Sequence, residues 1–182
     1  AADMAKGAII SIILSLIAIF VYILARFRNV AFSIGSVLAL TVDTLIIVGM
    51  YSICWGWMPF SLEVDQTFIG AVLTAIGYSI NDKVVVFDRI RENLGLYPKR
   101  ETERLFNDSL NETLARTIMT SATTLLVLLC IFFLGGDSIR SFAFAMILGV
   151  IFGTLSSIFL AAPIAFRTLG KKRVVEAAVA KA

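Results

Sequence analysis

Four ionisable residues, Asp43, Asp82, Lys83 and Arg116, stand where the surrounding sequence is mostly apolar. A charge inside a membrane span costs at least ~2.5–3.5 kcal/mol near the bilayer centre, so each is by default a candidate for function. Asp43 lies about 20 Å from the start of its apolar run at ~1.5 Å per residue, and is the deepest charge in the chain. Ala31, Gly35 and Ala39 precede it at every fourth position, a small-residue stripe that faces other helices. There its carboxyl can meet a hydroxyl, a water or a cation, or stay protonated and bond a neighbouring helix. Asp82 follows Asn81 about 7.5 Å from the end of its run, and Arg116 enters the next run from the same side at a comparable depth. Thr113, Arg116, Thr120 and Thr124 are expected to share a helical face, so that Arg116 looks into a hydroxylated stripe and pairs with Asp82 across two helices. Such a pair suits proton carriage. Desolvation raises a carboxyl pKa, a guanidinium lowers it, and withdrawing the arginine switches the site to its protonated form. Arginine itself stays charged. A proton crossing the membrane releases ~2.3 kcal/mol per 100 mV, enough to bias a conformational equilibrium more than tenfold. The other reading of the same residues is a static ion pair that fixes helix register. Lys83, ~100° around the helix from Asp82, is expected to snorkel to the nearby headgroups. Asp88, Arg89, Arg91 and Glu92 are expected to form a solvated or surface-paired cap.

The composition excludes much other chemistry. The 182 residues contain no histidine, and the two cysteines, Cys54 and Cys130, stand alone in apolar stretches, where they are expected to act as small hydrophobes. Zinc sites, bis-imidazole haem, Cys/His nucleophiles and disulfide frameworks lack their ligands or partners, so no metal and none of these catalytic chemistries are expected. With 59% hydrophobic and only 16% charged residues, the chain is made for lipid. Its net charge of +3 comes from clusters between apolar runs, which fits membrane orientation and no nucleic-acid partner.

Five apolar runs, at 7–25, 30–58, 66–87, 117–134 and 141–166, are each long enough to span a bilayer as a helix. The first lacks the basic lead-in and cleavage site of a signal peptide. Arg26 and Arg28 follow the first run, Arg89, Arg91, Lys99, Arg100 and Arg104 the third, and Arg167, Lys171, Lys172, Arg173 and Lys181 the fifth, while the opposite side holds only Lys6 and Arg140. This asymmetry predicts an external N-terminus and a cytoplasmic C-terminus, with Trp55 and Trp57 in the outer aromatic belt. Residues 88–112 are expected to form an amphipathic cytoplasmic connection running into the fourth span, and 176–182 a tail after a bundle over 1–175. Short turns at 59–65 and 135–140 make the flanking spans antiparallel neighbours. In the fifth span Ser141, Ala145, Gly149, Gly153, Ser157 and Ala161 form a ridge expected to serve packing. An external start further implies that the full-length protein carries an upstream membrane helix and a further segment between that helix and this chain.

The motif Gly77-Tyr78-Ser79-Ile80-Asn81-Asp82-Lys83-Val84-Val85-Val86-Phe87-Asp88-Arg89-Ile90-Arg91-Glu92 resembles the signature of the SecF family, the smaller partner of SecD in the bacterial protein-export accessory complex. Asn111-Glu112-Thr113-Leu114-Ala115-Arg116-Thr117 with Thr120-Ser121 is similar to a second SecF motif, and the 26–43 stretch to a weaker third. The resemblance implies an all-α polytopic membrane bundle: five helices of an RND-type six-helix half, whose first helix and periplasmic domain lie outside these residues. It implies a multi-pass protein of the bacterial inner membrane that uses the proton gradient to help drive unfolded preprotein through SecYEG, without a cofactor. SecD, the channel, a YidC-type insertase and lipid are its expected partners. Asp82 falls on the family's proton acceptor position and Arg116 on its charge switch. Asp43 falls on a deeper acidic position of the relay, with Asn81 and Thr120 as hydrogen-bonding support. A carboxylate among hydroxyls can also serve Na⁺. Lys83 replaces a usually small or hydroxylated residue and can act on Asp82 or neutralise a neighbour, and Val42 stands where a histidine often lies, which excludes a relay through imidazole. A scaffold that moves no ions, and an RND efflux half-transporter, are the competing readings.

Overall fold

The computed structural model describes the backbone of residues 2–58, 60 and 62–179, and side chains over 6–58, 60, 62–137 and 139–170. The helices are α1 (Ala2–Phe27), α2 (Val30–Cys54), α3 (Gln66–Leu96), α4 (Thr102–Leu134), α5 (Asp137–Ser156) and α6 (Ala162–Val179), and α5 passes into α6 through a π-helical turn, Ser157–Ala161. No strand occurs among the described residues. Five helical stretches are long and apolar enough to cross a membrane, the fifth being Ile139–Gly170 across the π turn. Pro59 of the expected outer turn, the side chains of Lys171, Lys172 and Arg173, and Lys181 with the end of the tail lie outside the described residues.

Local chemistry sets the helix ends. Arg28 turns the chain with a positive φ of 51°, and the Asn29 side chain then accepts the Ala31 amide at 3.0 Å to cap α2. Gly56, at φ 85°, takes a conformation unfavourable to other residues and stops α2 at Cys54, short of the run expected to 58. Asp65 caps α3 by accepting the Phe68 amide at 2.8 Å. Pro98 disfavours helical backbone at Tyr97, so the connection between the third and fourth spans is two helical extensions around one tight turn: α3 carries on to Leu96 and α4 opens at Thr102. The π turn also has a local cause. Pro163 has no amide proton and crowds the carbonyl one turn back, and a widened turn relieves that conflict.

The helices α2, α3 and α5 form the interior. In their most apolar windows 56% of α2 and 50% of the α5–α6 stretch are buried, against 11% of α1 and 17% of α4. The α1 helix leans on α2 and α3, and α4 leans on α5 and α3. Close approach depends on missing side chains, as expected of the fifth-span ridge. A Cβ on Gly153 would lie 2.6 Å from Ser79 Oγ, a Cβ on Gly149 would overlap Ala75, and one on Gly35 would lie 2.7 Å from the Ala161 carbonyl. Two apolar clusters result. One, around Tyr51, Phe68, Val72, Ala75 and Leu148, fills one end of the bundle, and the other, around Phe27, Phe32, Phe87, Ile90 and Ala165, fills the opposite end. Along α3, and where α5 passes into the π turn, the stretch between them carries the buried polar residues Ser79, Asp82, Lys83, Ser156 and Ser157.

Candidate functional site

Asp43 reaches the polar stretch from α2, Ser79, Asp82 and Lys83 from α3, and Thr154 and Ser156 from the end of α5. Lys83 is fully buried and does not snorkel. Its Nζ donates to Asp43 Oδ2 at 3.0 Å, Ser79 Oγ at 2.6 Å and Ser156 Oγ at 2.9 Å. An ammonium has three protons, and all three are used. Snorkelling fails because a carboxylate and two hydroxyls converge on a point that the lysine stem reaches inside the bundle, and bonds made there replace those to water. Asp43 is 2% exposed, and its Oδ2 also accepts from Ser79 and Ser156, each at 2.8 Å. Its Oδ1 has no hydrogen-bond partner among the described residues.

Asp82, one residue earlier and 5% exposed, points elsewhere and accepts from Thr154 Oγ1 at 3.2 Å. The Thr154 hydroxyl is within 2.6 Å of Ser121 Oγ, so two hydroxyls lead from Asp82 to α4. The expected contact between Asp82 and Arg116 is not made. Among the described residues Asp82 has no ion-pair partner within 4.0 Å, although the charges of Lys83 and Arg116 both act on it at longer range. Thr113 of the expected stripe is buried, but the buried face of α4 continues through Thr117 and Ser121, one position on from Arg116 and Thr120, which are exposed, while Thr124 is half-buried. That offset of ~100° turns Arg116 to the outside. Arg116 borders an open crevice of about 750 Å³ with Thr113, Val84, Val85 and Asp88.

The supporting residues are also reassigned. Thr120 donates to the carbonyls of Arg116 and Thr117 within its own helix, and Asn81 is exposed beside Tyr22, Gly77 and Tyr78 in a second groove. The hydroxyls that do touch the carboxylates belong to Thr154, Ser79 and Ser156. Thr154, Ser156 and Ser157 interrupt an otherwise apolar run, a signal that marks this segment. The charges beyond the apolar part of α3 are surface-paired as expected: Arg26 with Asp88 at 3.1 Å, and Arg89 with both Glu92 and Glu112. No group of His, Cys, Asp and Glu able to hold a metal occurs among the described residues.

The sequence matches the family described as protein export membrane protein SecD/SecF, C-terminal, over residues 1–171. It is 54% identical over 164 residues to the protein translocase subunit SecF of Rhodothermus marinus, covering 90% of this chain and 53% of that protein. It is 41% identical to the subunit of the same name from Haemophilus influenzae, covering 90% of this chain and 48% of that one. The chain thus spans about half the length of the curated relatives it matches. Among solved structures it resembles SecDF in its super-membrane-facing form, with a TM-score of 0.84 and 39% identity over 98% of this chain and 23% of that one. It also resembles the SecDF of Thermus thermophilus, a translocon-associated membrane protein, with a TM-score of 0.81 and 40% identity over 91% of this chain and 22% of that one. A helical membrane bundle with carboxylates set between its apolar clusters, matched along nearly its whole length, belongs to the SecD/SecF C-terminal family of protein export membrane proteins.

Proposed function

We propose that this chain is the C-terminal membrane part of a SecF-type subunit in the bacterial inner membrane, with its C-terminus in the cytoplasm. Together with SecD it uses the proton-motive force to help move unfolded preprotein through SecYEG. The observation that carries this reading is Asp82, a buried carboxyl within a span whose one hydrogen-bond partner among the described residues is the Thr154 hydroxyl. Its charge can change without breaking an ion pair. Asp43 differs, because neutralising it leaves the Lys83 ammonium buried without its counter-ion, at a cost of about 3–5 kcal/mol. In this reading Asp82 accepts the proton, the Thr154 and Ser121 hydroxyls stand along its path, and Asp43 is a fixed pole of the relay. Arg116, on the outer face of α4, acts as the charge switch when the partner half moves against it.

A scaffold that joins SecD, the channel or a YidC-type insertase without moving protons is favoured by one observation, the locked Asp43–Lys83 pair. Preprotein export in cells carrying the full complex with Asp82→Asn separates the two. Export lost while SecD still co-purifies supports proton coupling, and unchanged export favours the scaffold.

A further inference from the structure

The surroundings of Lys83 resemble the coordination of a small ion more than an ordinary salt bridge. Three oxygens from three helices, Asp43 Oδ2, Ser79 Oγ and Ser156 Oγ, lie 2.6–3.0 Å from one nitrogen. Ser79 places its proton on the carboxylate and Ser156 shares its proton between the carboxylate at 2.8 Å and the Gly153 carbonyl at 3.1 Å, so both turn lone pairs toward that nitrogen. One carboxylate gives the cluster a single negative charge, which a monovalent cation neutralises and a divalent one overcompensates. The buried, unpartnered Asp43 Oδ1 offers another hard oxygen of the kind alkali and alkaline-earth ions prefer. We propose that Asp43, Ser79 and Ser156 form a monovalent-cation site that this chain fills with its own Lys83 ammonium, so that sodium has no place there until Lys83 is shortened.

Because the cation is tethered, occupancy does not depend on ion concentration, whereas a free ion stabilises the fold only in proportion to its binding. The site is separate from Asp82, which contacts Thr154.

Thermal melting of the full-length protein in detergent, in sodium chloride or choline chloride at equal ionic strength, tests the assignment. Wild type melts at the same temperature in both salts. Lys83→Ala melts lower than wild type in choline and gains stability as sodium replaces choline, and Asp43→Asn in the same chain abolishes that gain. Lys83→Ser, which opens the same space with a polar side chain, is a second variant expected to respond in the same way. Equal melting of the shortened variants in both salts overturns the proposal. So does a wild type that responds as they do, a sodium response that survives Asp43→Asn, or failure of both shortened variants to fold in sodium chloride.

Discussion

Lys83→Met tests whether the buried pair holds α2, α3 and α5 together. Methionine keeps the length and volume of the stem, so neither a cavity nor a free ion replaces the ammonium. The variant leaves the Asp43 carboxylate, 2% exposed, without its counter-ion, which costs about 3–5 kcal/mol at a buried site. Ser79 and Ser156 still donate to Oδ2, which places the expected loss near the lower end, about 3 kcal/mol. For a bundle of this size that lowers the melting temperature by roughly 6–12 °C. Asp43→Asn in the same chain removes the stranded charge, so the double variant is expected to recover more than half of the loss. The assay is a double-mutant cycle on the full-length protein in detergent, read as the fraction remaining monodisperse after heating. Additive losses, or a Lys83→Met protein as stable as wild type, would refute the reasoning, because the pair would then carry no coupling energy.

The same packing sets the other expected outcomes. Gly153→Ala pushes a methyl group into Ser79 and is expected to cost about 1–3 kcal/mol. Gly49→Ala meets nothing within 4 Å and gains up to about 1 kcal/mol of helix propensity, so melting of the two variants shows opposite shifts. Tyr51→Phe removes the hydroxyl that bonds the carbonyl and hydroxyl of Ser141, for an expected loss of about 0.5–1.5 kcal/mol in the same assay. Arg116→Ala removes an exposed side chain without an ion pair among the described residues, so stability stays within about 0.5 kcal/mol while preprotein export is lost.

The spans were legible because long apolar runs bounded by Asn29, Asp65, Pro98 and Gly135-Gly136 leave few other folds open. The ridge in the fifth span was equally plain, since glycines at every fourth position fit close packing. The partners of the charges were not legible. Four residues at i, i+3 and i+4 spacing mark a stripe but not which way it faces, and on α4 the buried stripe is Thr113, Thr117 and Ser121, which turned Arg116 away from Asp82. Lys83 has the composition of a snorkelling residue. Its inward direction depends on Asp43 and Ser156, 40 and 73 positions away in the chain, and local pattern carries no information about such pairings. Pro163 was the one local clue to the π turn, and the apolar run around it hid the change of helical pitch.

That turn has a consequence for descent. A π turn holds one residue more than the α-helical path between the same flanks, so it can arise by inserting a single codon while both flanks keep their neighbours. Before it the ridge glycines meet Ala75 and Ser79 of α3, and at its last residue and beyond it Ala161 and Ala165 meet Gly35 of α2. A relative with an ordinary helix here is expected to be one residue shorter between its counterparts of Ser156 and Ala162, and an alignment that puts that gap elsewhere assigns its residues to the wrong neighbouring helix.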